Sequence, residues 1–96
     1  MAAYLIAEHK ITDPAKFDEY RTRVAPMIAR FGGRYLTKSG SHEILEKGYW
    51  HPDRVVIIEF PDMAALNAWY NSLEYQPLIA LRQQAALDQL ITIEGA

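Results

Sequence analysis

The sequence predicts an α+β fold of the ferredoxin-like type: βαββαβ order, a four-stranded antiparallel sheet and two helices on one face. Three observations lead there. Two helical stretches with clear start signals each lie between extended stretches. The second half echoes the first, since Asp13, Phe17 and Tyr20 match Asp62, Leu66 and Trp69 at a constant offset of 49. No linker, low-complexity run or charge block divides the chain, so residues 1–96 read as one domain. In this arrangement the first and third strands are central.

Each element has its own reason. "YLIAEHKI" (4–11) is short and rich in apolar residues, which predicts a strand. In "TDPAKFDEY", Asp13 can accept from free N–H groups of a first helical turn, and Pro14 sits where its missing N–H costs nothing. Phe17, Tyr20, Val24, Met27, Ile28 and Phe31 recur at helical spacing, with Pro26 as a bend and Gly32-Gly33 as the stop. "RYLTK" (34–38) starts a second strand, with "SGS" as a bulge or bend before "HEILEK" continues it. After the turn "GYWHPD", "RVVIIEF" (54–60) is the strongest strand. Asp62 caps a second helix whose stripe is Met63, Leu66, Trp69, Tyr70 and Leu73. In "WYNSLEYQPL", Ser72 as N-cap and Pro77 as a missing donor mark a helix break and restart. "QLITIEG" closes the sheet.

Composition narrows the function classes. At 50% hydrophobic and 23% charged the chain is expected to pack a core, a small one. A net charge of −2 with scattered basic residues provides no stripe for a phosphate backbone, so no nucleic acid partner is expected. "MAAYLIAEHK" lacks a basic n-region and its apolar run is too short for a signal peptide or a membrane span, which makes the cytoplasm the expected compartment. Without cysteine there is no disulfide, thiolate catalyst or Cys-ligated zinc. His42 and His51 are nine residues apart with His9 distant, which is no metal-ligand spacing. There is no phosphate loop, nucleophile elbow or dinucleotide fingerprint, so no metal and no cofactor are expected.

Val55, Val56, Ile57 and Ile58 are consecutive, so the third strand presents apolar side chains to both faces of the sheet, and two helices cover only one. Burying several hundred Å² at roughly 25 cal/mol per Å² favours association. The expected partner is a second copy, sheet face to sheet face.

Candidate site residues carry two readings each. His9 shares a strand face with Leu5, Ala7 and Ile11, beneath the helices; there it can act as a general base at an apolar pocket, or sit as a core histidine bonded to a neighbour. Arg82, seven residues after Tyr75 and so on about the same helical face, can meet a ligand carboxylate or pair with an acid. Tyr20, Tyr35, Trp69, Tyr70 and Tyr75 are candidate walls of a cleft between helix and sheet, or plain core. On the opposite sheet face, Glu8, Lys10 and Glu59 with Arg34 and Lys38 can form an acid/base pair or an ion-pair network inside a dimer contact.

Taken together, "YLIAEHKITDPAKFDEY", "FGGRYL", "VVIIEFPD", "AWYNSLEYQPL" and "LRQQAA" through "IEG" resemble the small bacterial family of domains of unknown function numbered thirteen-thirty. The likeness runs along nearly the whole chain. It implies a dimeric α/β barrel and no particular activity; the wider fold includes cofactor-independent monooxygenases, lactone isomerases and haem-binding enzymes. Two functions follow. One is a small cofactor-independent enzyme or binder of a small, partly apolar, anionic metabolite, with His9 as base and Arg82 as anion partner. The other is a non-catalytic dimeric binding or scaffold module.

Overall fold

Asp13 and Asp62 open two helices in the same way, each accepting a hydrogen bond from the backbone N–H three residues on: Lys16 N at 3.2 Å and Ala65 N at 2.8 Å. The computed structural model, which describes residues 1–38 and 40–96, places these caps in the order β1 (Ala3–Ile11), α1 (Pro14–Arg30), β2 (Arg34–Lys38), β3 (Val55–Phe60), α2 (Met63–Tyr70), α3 (Gln76–Ala85) and β4 (Ala86–Glu94). The strands form one antiparallel sheet in the order β2-β3-β1-β4, so β1 and β3 are central. This is the ferredoxin-like arrangement with its second helix broken in two.

Alternation in β1 decides which face the helices cover. Ala3, Leu5, Ala7 and His9 are buried, and the register sets Leu5 opposite Ile58 and Ala3 opposite Phe60 on β3. Onto this row α1 lays Phe17, Tyr20, Val24, Met27 and Ile28, the periodic stripe of the sequence. Trp69 fills the centre: fully buried, it stacks on Phe60 at 5.6 Å between ring centroids and lies 4.2 Å from the Tyr75 ring.

The double glycine ends α1 through two different constraints. Gly33 N–H bonds to Ile28 O at 2.9 Å and Gly32 N–H to Ala29 O at 3.0 Å, the paired bonds of a Schellman turn. Gly32 takes the left-handed φ of +87°. Gly33 is there for space, because a Cβ would stand 2.7 Å from Ile28 Cγ2 and 2.8 Å from the Phe60 ring.

Several expectations need correction. "HEILEK" is not strand: β3 starts at Val55, with β1 on one side and residues 34–38 on the other, so no ladder is available to residues 42–47. The segment from residue 40 to the start of β3 is instead held by side chains, with Glu8 accepting from Trp50 Nε1 at 3.0 Å and from Asp53 N at 3.1 Å. The bulge falls earlier than "SGS". Tyr35 faces Ile58 and Thr37 faces Ile57, which makes Leu36 the extra residue; Ser39, the first residue of "SGS", lies outside the described residues. Leu73 leaves the stripe and is exposed, because α2 stops at Tyr70. Ser72 caps the turn rather than the helix proper: its Oγ accepts from Tyr75 N and donates to Trp69 O, while α3 starts at Gln76 with Pro77 in its first turn. β4 begins at Ala86, three residues before the expected strand. Among the described residues no helix is long and apolar enough to cross a membrane.

The two glycines should separate in a stability assay. Gly33→Ala forces a methyl into the Ile28–Phe60 contact and is expected to cost about 1 to 3 kcal/mol. Gly32→Ala adds local backbone strain and a Cβ 3.3 Å from the Pro61 ring, about 1 kcal/mol. Urea denaturation that ranks them the other way would show that the Gly33 contact yields easily.

Candidate functional site

His9 and Asp88 meet because β1 and β4 are neighbours in register, with His9 directly opposite Asp88. On the helix-covered face their side chains join: His9 Nδ1 lies 2.5 Å from Asp88 Oδ1. The other carboxylate oxygen accepts from Arg82 Nη1 at 2.7 Å. Arg82 arrives there because α3 runs into β4 without a loop, so an arginine in the last turn folds back over an acid six residues later. All three side chains are only 3 to 6% exposed.

The chemistry follows from the pairing. A carboxylate at Nδ1 selects the imidazole tautomer that carries its proton there, which leaves the Nε2 lone pair as the one a ligand can meet. Arg82 balances the Asp88 charge, so His9 sits against a neutral pair rather than a lone buried anion. Burial works against the charge of Arg82, but Tyr75 and Tyr20 beside it and the Asp88 hydrogen bond outweigh burial and raise its pKa further.

His9 borders a cavity of about 100 Å³ between α1 and the sheet, open to solvent. Its walls are apolar, with Leu5, Phe17, Val24, Ile28, Val56 and Ile58 among them. The edge of the Phe17 ring orients the imidazole at 5.0 Å between centroids. For scale, an apolar cavity of roughly 150 Å³ takes up benzene. The space suits a small fragment whose remainder reaches the mouth.

Tyrosines form the polar part of the interior. Tyr20, on the cavity wall, shares a 2.8 Å hydroxyl–hydroxyl hydrogen bond with Tyr75. Burial, then the neighbouring Tyr75, pushes the Tyr20 hydroxyl well above its ordinary value. Burial likewise raises Tyr75, against the opposing pull of Arg82. Tyr35, also on the wall, is pushed up to about 12, first by burial and then by Tyr75. These hydroxyls stay protonated at neutral pH and serve as hydrogen-bonding groups, so a base on this wall has to be the imidazole.

Of the residues singled out from sequence, the structure brings His9, Tyr20, Tyr35 and Trp69 to the cavity. Tyr70, Tyr75 and Arg82 do not reach it. Tyr70 packs its ring edge-on to Trp69 at 5.9 Å, and Tyr75 stands behind Tyr20. Arg82 is taken up by Asp88, at 2.7 Å from Nη1 to Oδ2. Asp88 itself was missed, because a closing strand read from Gln89 leaves the acid in a loop. Its signal in the sequence is its place six residues after Arg82; that it stands level with His9 emerges only from the β1–β4 register. Arg21, Lys38 and Arg54 also border the cavity unanticipated.

On the uncovered face, Glu8 and Glu59 do not pair with each other. Glu59 takes Arg34 Nε at 2.7 Å and the Tyr4 hydroxyl at 3.0 Å, bonds that hold its carboxyl below the usual carboxylate range. Glu8 secures the segment after β2. Arg34 and Lys38 were expected on one face of β2; the bulge at Leu36 separates them, leaving Arg34 with Glu59 and turning Lys38 to the cavity side, its Nζ 4.9 Å from the centroid of the Tyr35 ring. Among the described residues no three His, Asp or Glu side chains converge as a metal site.

Solved structures share this fold. A protein of unknown function from Rhodopseudomonas palustris superposes with a TM-score of 0.79 at 19% identity, covering 99% of this chain and 82% of its own. SnoaB, a cofactor-independent oxygenase from Streptomyces nogalater, gives 0.68 at 13% identity with 99% and 93% covered. A dimeric ferredoxin-like protein of unknown function from Thermobifida fusca gives 0.64 at 14%, with 99% and 92% covered. At such identities the likeness is one of fold. No curated protein matches the chain. The family model of a domain of unknown function (DUF1330) matches residues 2–96, and the chain belongs to that family.

Proposed function

We propose that this chain is a small cofactor-independent enzyme that removes a proton from a small, partly apolar metabolite bound between α1 and the sheet. One observation carries the reading: an imidazole on the wall of an apolar cavity, oriented from behind by a buried carboxylate that is itself held by a buried arginine. His9 Nε2 accepts the proton, Asp88 stabilises the imidazolium that forms, and Arg82 keeps Asp88 in position. Tyr20 and Tyr35 add hydroxyls, and Trp69 forms a rigid wall. The presence of a cofactor-independent oxygenase among proteins of this fold is compatible with proton abstraction from an electron-rich substrate as the first step.

We further propose that the working form is a cytoplasmic homodimer joined through the uncovered sheet face. That face carries Ile6, Val55 and Ile57 with Leu87, Ile91 and Ile93, the last three at least half exposed in the single chain. A shallow depression of about 560 Å³ between Ile57, Trp50 and His42 widens the same surface. Two of the structural neighbours are described as dimeric. This surface is also what favours the second reading, a dimeric scaffold without chemistry.

Activity can be sought without a known substrate. In D2O, the protein should accelerate exchange of acidic C–H protons in at least one member of a panel of small 1,3-dicarbonyl and phenolic compounds followed by NMR. His9→Ala should lower that rate by about 10²-fold or more. Compounds that raise the melting temperature yet exchange no faster than in buffer would favour the scaffold reading.

The relay also sets an order of stabilities. Asp88→Asn leaves the buried Arg82 charge unmatched and is expected to cost about 3 to 5 kcal/mol. His9→Leu leaves the Asp88–Arg82 pair intact and should cost less, about 1 to 3 kcal/mol. Equal losses in urea would mean that His9 and Arg82 do not depend on Asp88 separately.

For the dimer, Ile91→Lys places a charge among the aliphatic side chains of the uncovered face, on the edge strand β4, at a position exposed in the single chain. Light scattering should show a dimer for the unaltered chain and a folded monomer for the variant. A monomer at micromolar concentration without the substitution would overturn the sheet-face interface.

A further inference from the structure

The charged side chains that line the cavity are all of one sign. Arg21, Lys38 and Arg54 border it, and among the described residues no carboxylate does. Arg21 shares its charge with Asp18. Arg54 forms no ion pair among the described residues, and its backbone carbonyl, not its side chain, holds the strand by accepting from His9 N at 2.9 Å. Asp88, the acid behind His9, is already matched by Arg82. The field at the mouth is therefore positive, and an apolar wall of low polarisability beneath it does little to screen that field.

Deeper in, a second demand is unmet. Trp69 is fully buried and forms part of the wall, yet its indole Nε1–H has no acceptor among the described residues. Buried donors are almost always partnered, and an exception calls for a group from outside the chain. An acceptor atom on a bound molecule would supply it.

We propose that the ligand of this cavity is a small organic acid in its anionic form. Its apolar part lies against Leu5, Val24, Ile28 and Ile58, an acceptor atom takes the Trp69 indole N–H, and its negative group ends at Arg54 and Lys38. The inference rests on the cavity being a ligand site, as proposed above, and adds the charge of what enters. Arg54 and Lys38 are specificity residues, set apart from the proton-moving His9. A free inorganic anion has no apolar part to displace water from the walls, and a neutral hydrocarbon satisfies neither the indole nor the cations.

A matched pair of probes tests this: 4-hydroxyphenylacetate and 4-hydroxyphenylacetamide, whose phenolic oxygen is the acceptor for Trp69, titrated separately into 15N-labelled protein and followed at the two tryptophan indole N–H signals, assigned with Trp50→Phe. Trp50 donates to Glu8 on the other face and serves as the internal control. The acid should bind at least about tenfold more tightly than the amide, which corresponds to ~1.4 kcal/mol. It should move the Trp69 signal and leave that of Trp50 in place. Arg54→Gln combined with Lys38→Gln should collapse the preference while the amide still binds. Equal affinity for the two probes, with the Trp69 signal moving for both, would overturn the anion preference and leave the cavity as a ligand site. A preference that survives the double substitution would overturn the roles of Arg54 and Lys38. If neither probe moves the Trp69 signal up to about 10 mM, both the ligand site and its charge selectivity fall together.

Discussion

A carboxylate placed in the interior has to be matched from within, and Asp88 is matched twice. Arg82 meets one oxygen and His9 the other, all three nearly sealed from water. Neither contact tolerates slack, because an unmatched charge at that depth is among the most damaging local faults a small domain can carry. The direct join of α3 to β4, which brings Arg82 over Asp88, and the pairing of β1 with β4, which brings His9 level with it, are both needed to close the group. The match is incomplete at one atom, since Arg82 Nε has no partner among the described residues. A buried polar group of this kind adds little net stability over an apolar one. Its use lies in holding one imidazole in one tautomer at one place on a cavity wall.

Much of the architecture was legible in the chain because local chemistry and global fold agree. Asp13-Pro14 and Asp62 act through the first-turn N–H groups, the stripe from Phe17 to Ile28 has helical period, and the double glycine ends α1 as its backbone requires. His9 was readable as a buried, inward histidine from strand alternation alone. What stayed hidden depended on pairing. Alternation shows which face a residue takes, but not which residue of another strand stands opposite, so the partner of His9 could not be named until β4 was in register. The bulge was hidden for the same reason, since "RYLTK" contains no glycine and alternates well in isolation. "HEILEK" misled in the opposite sense, having strand-like composition with no neighbouring strand to receive it.

The sheet divides its work between its two faces. One is occupied by helices, aromatic rings and the His9 group. The other carries aliphatic side chains bordered by two carboxylates that are each engaged locally: Glu59 by Arg34 and Tyr4, and Glu8 by Trp50 and the backbone of Asp53. Because β1 alternates, His9 and its neighbour Glu8 serve opposite faces from adjacent positions. The two faces thus meet at adjacent residues of a single strand, one holding the segment after β2 and the other bearing the imidazole.

The extra residue in β2 has a consequence for how this domain can diverge. Leu36 is surplus to the ladder, and every side chain between it and the end of the strand owes its face to that surplus. Drawing Leu36 into the ladder would exchange the faces of Thr37 and Lys38, while the buried stripe on α1 and the central strands kept their places. Lys38 would then turn outward without any codon for a charged residue changing. A family built on this sheet therefore has a short evolutionary route to a different charge at the mouth of the cavity, through keeping or losing a bulge at an edge strand rather than through substitution in the core.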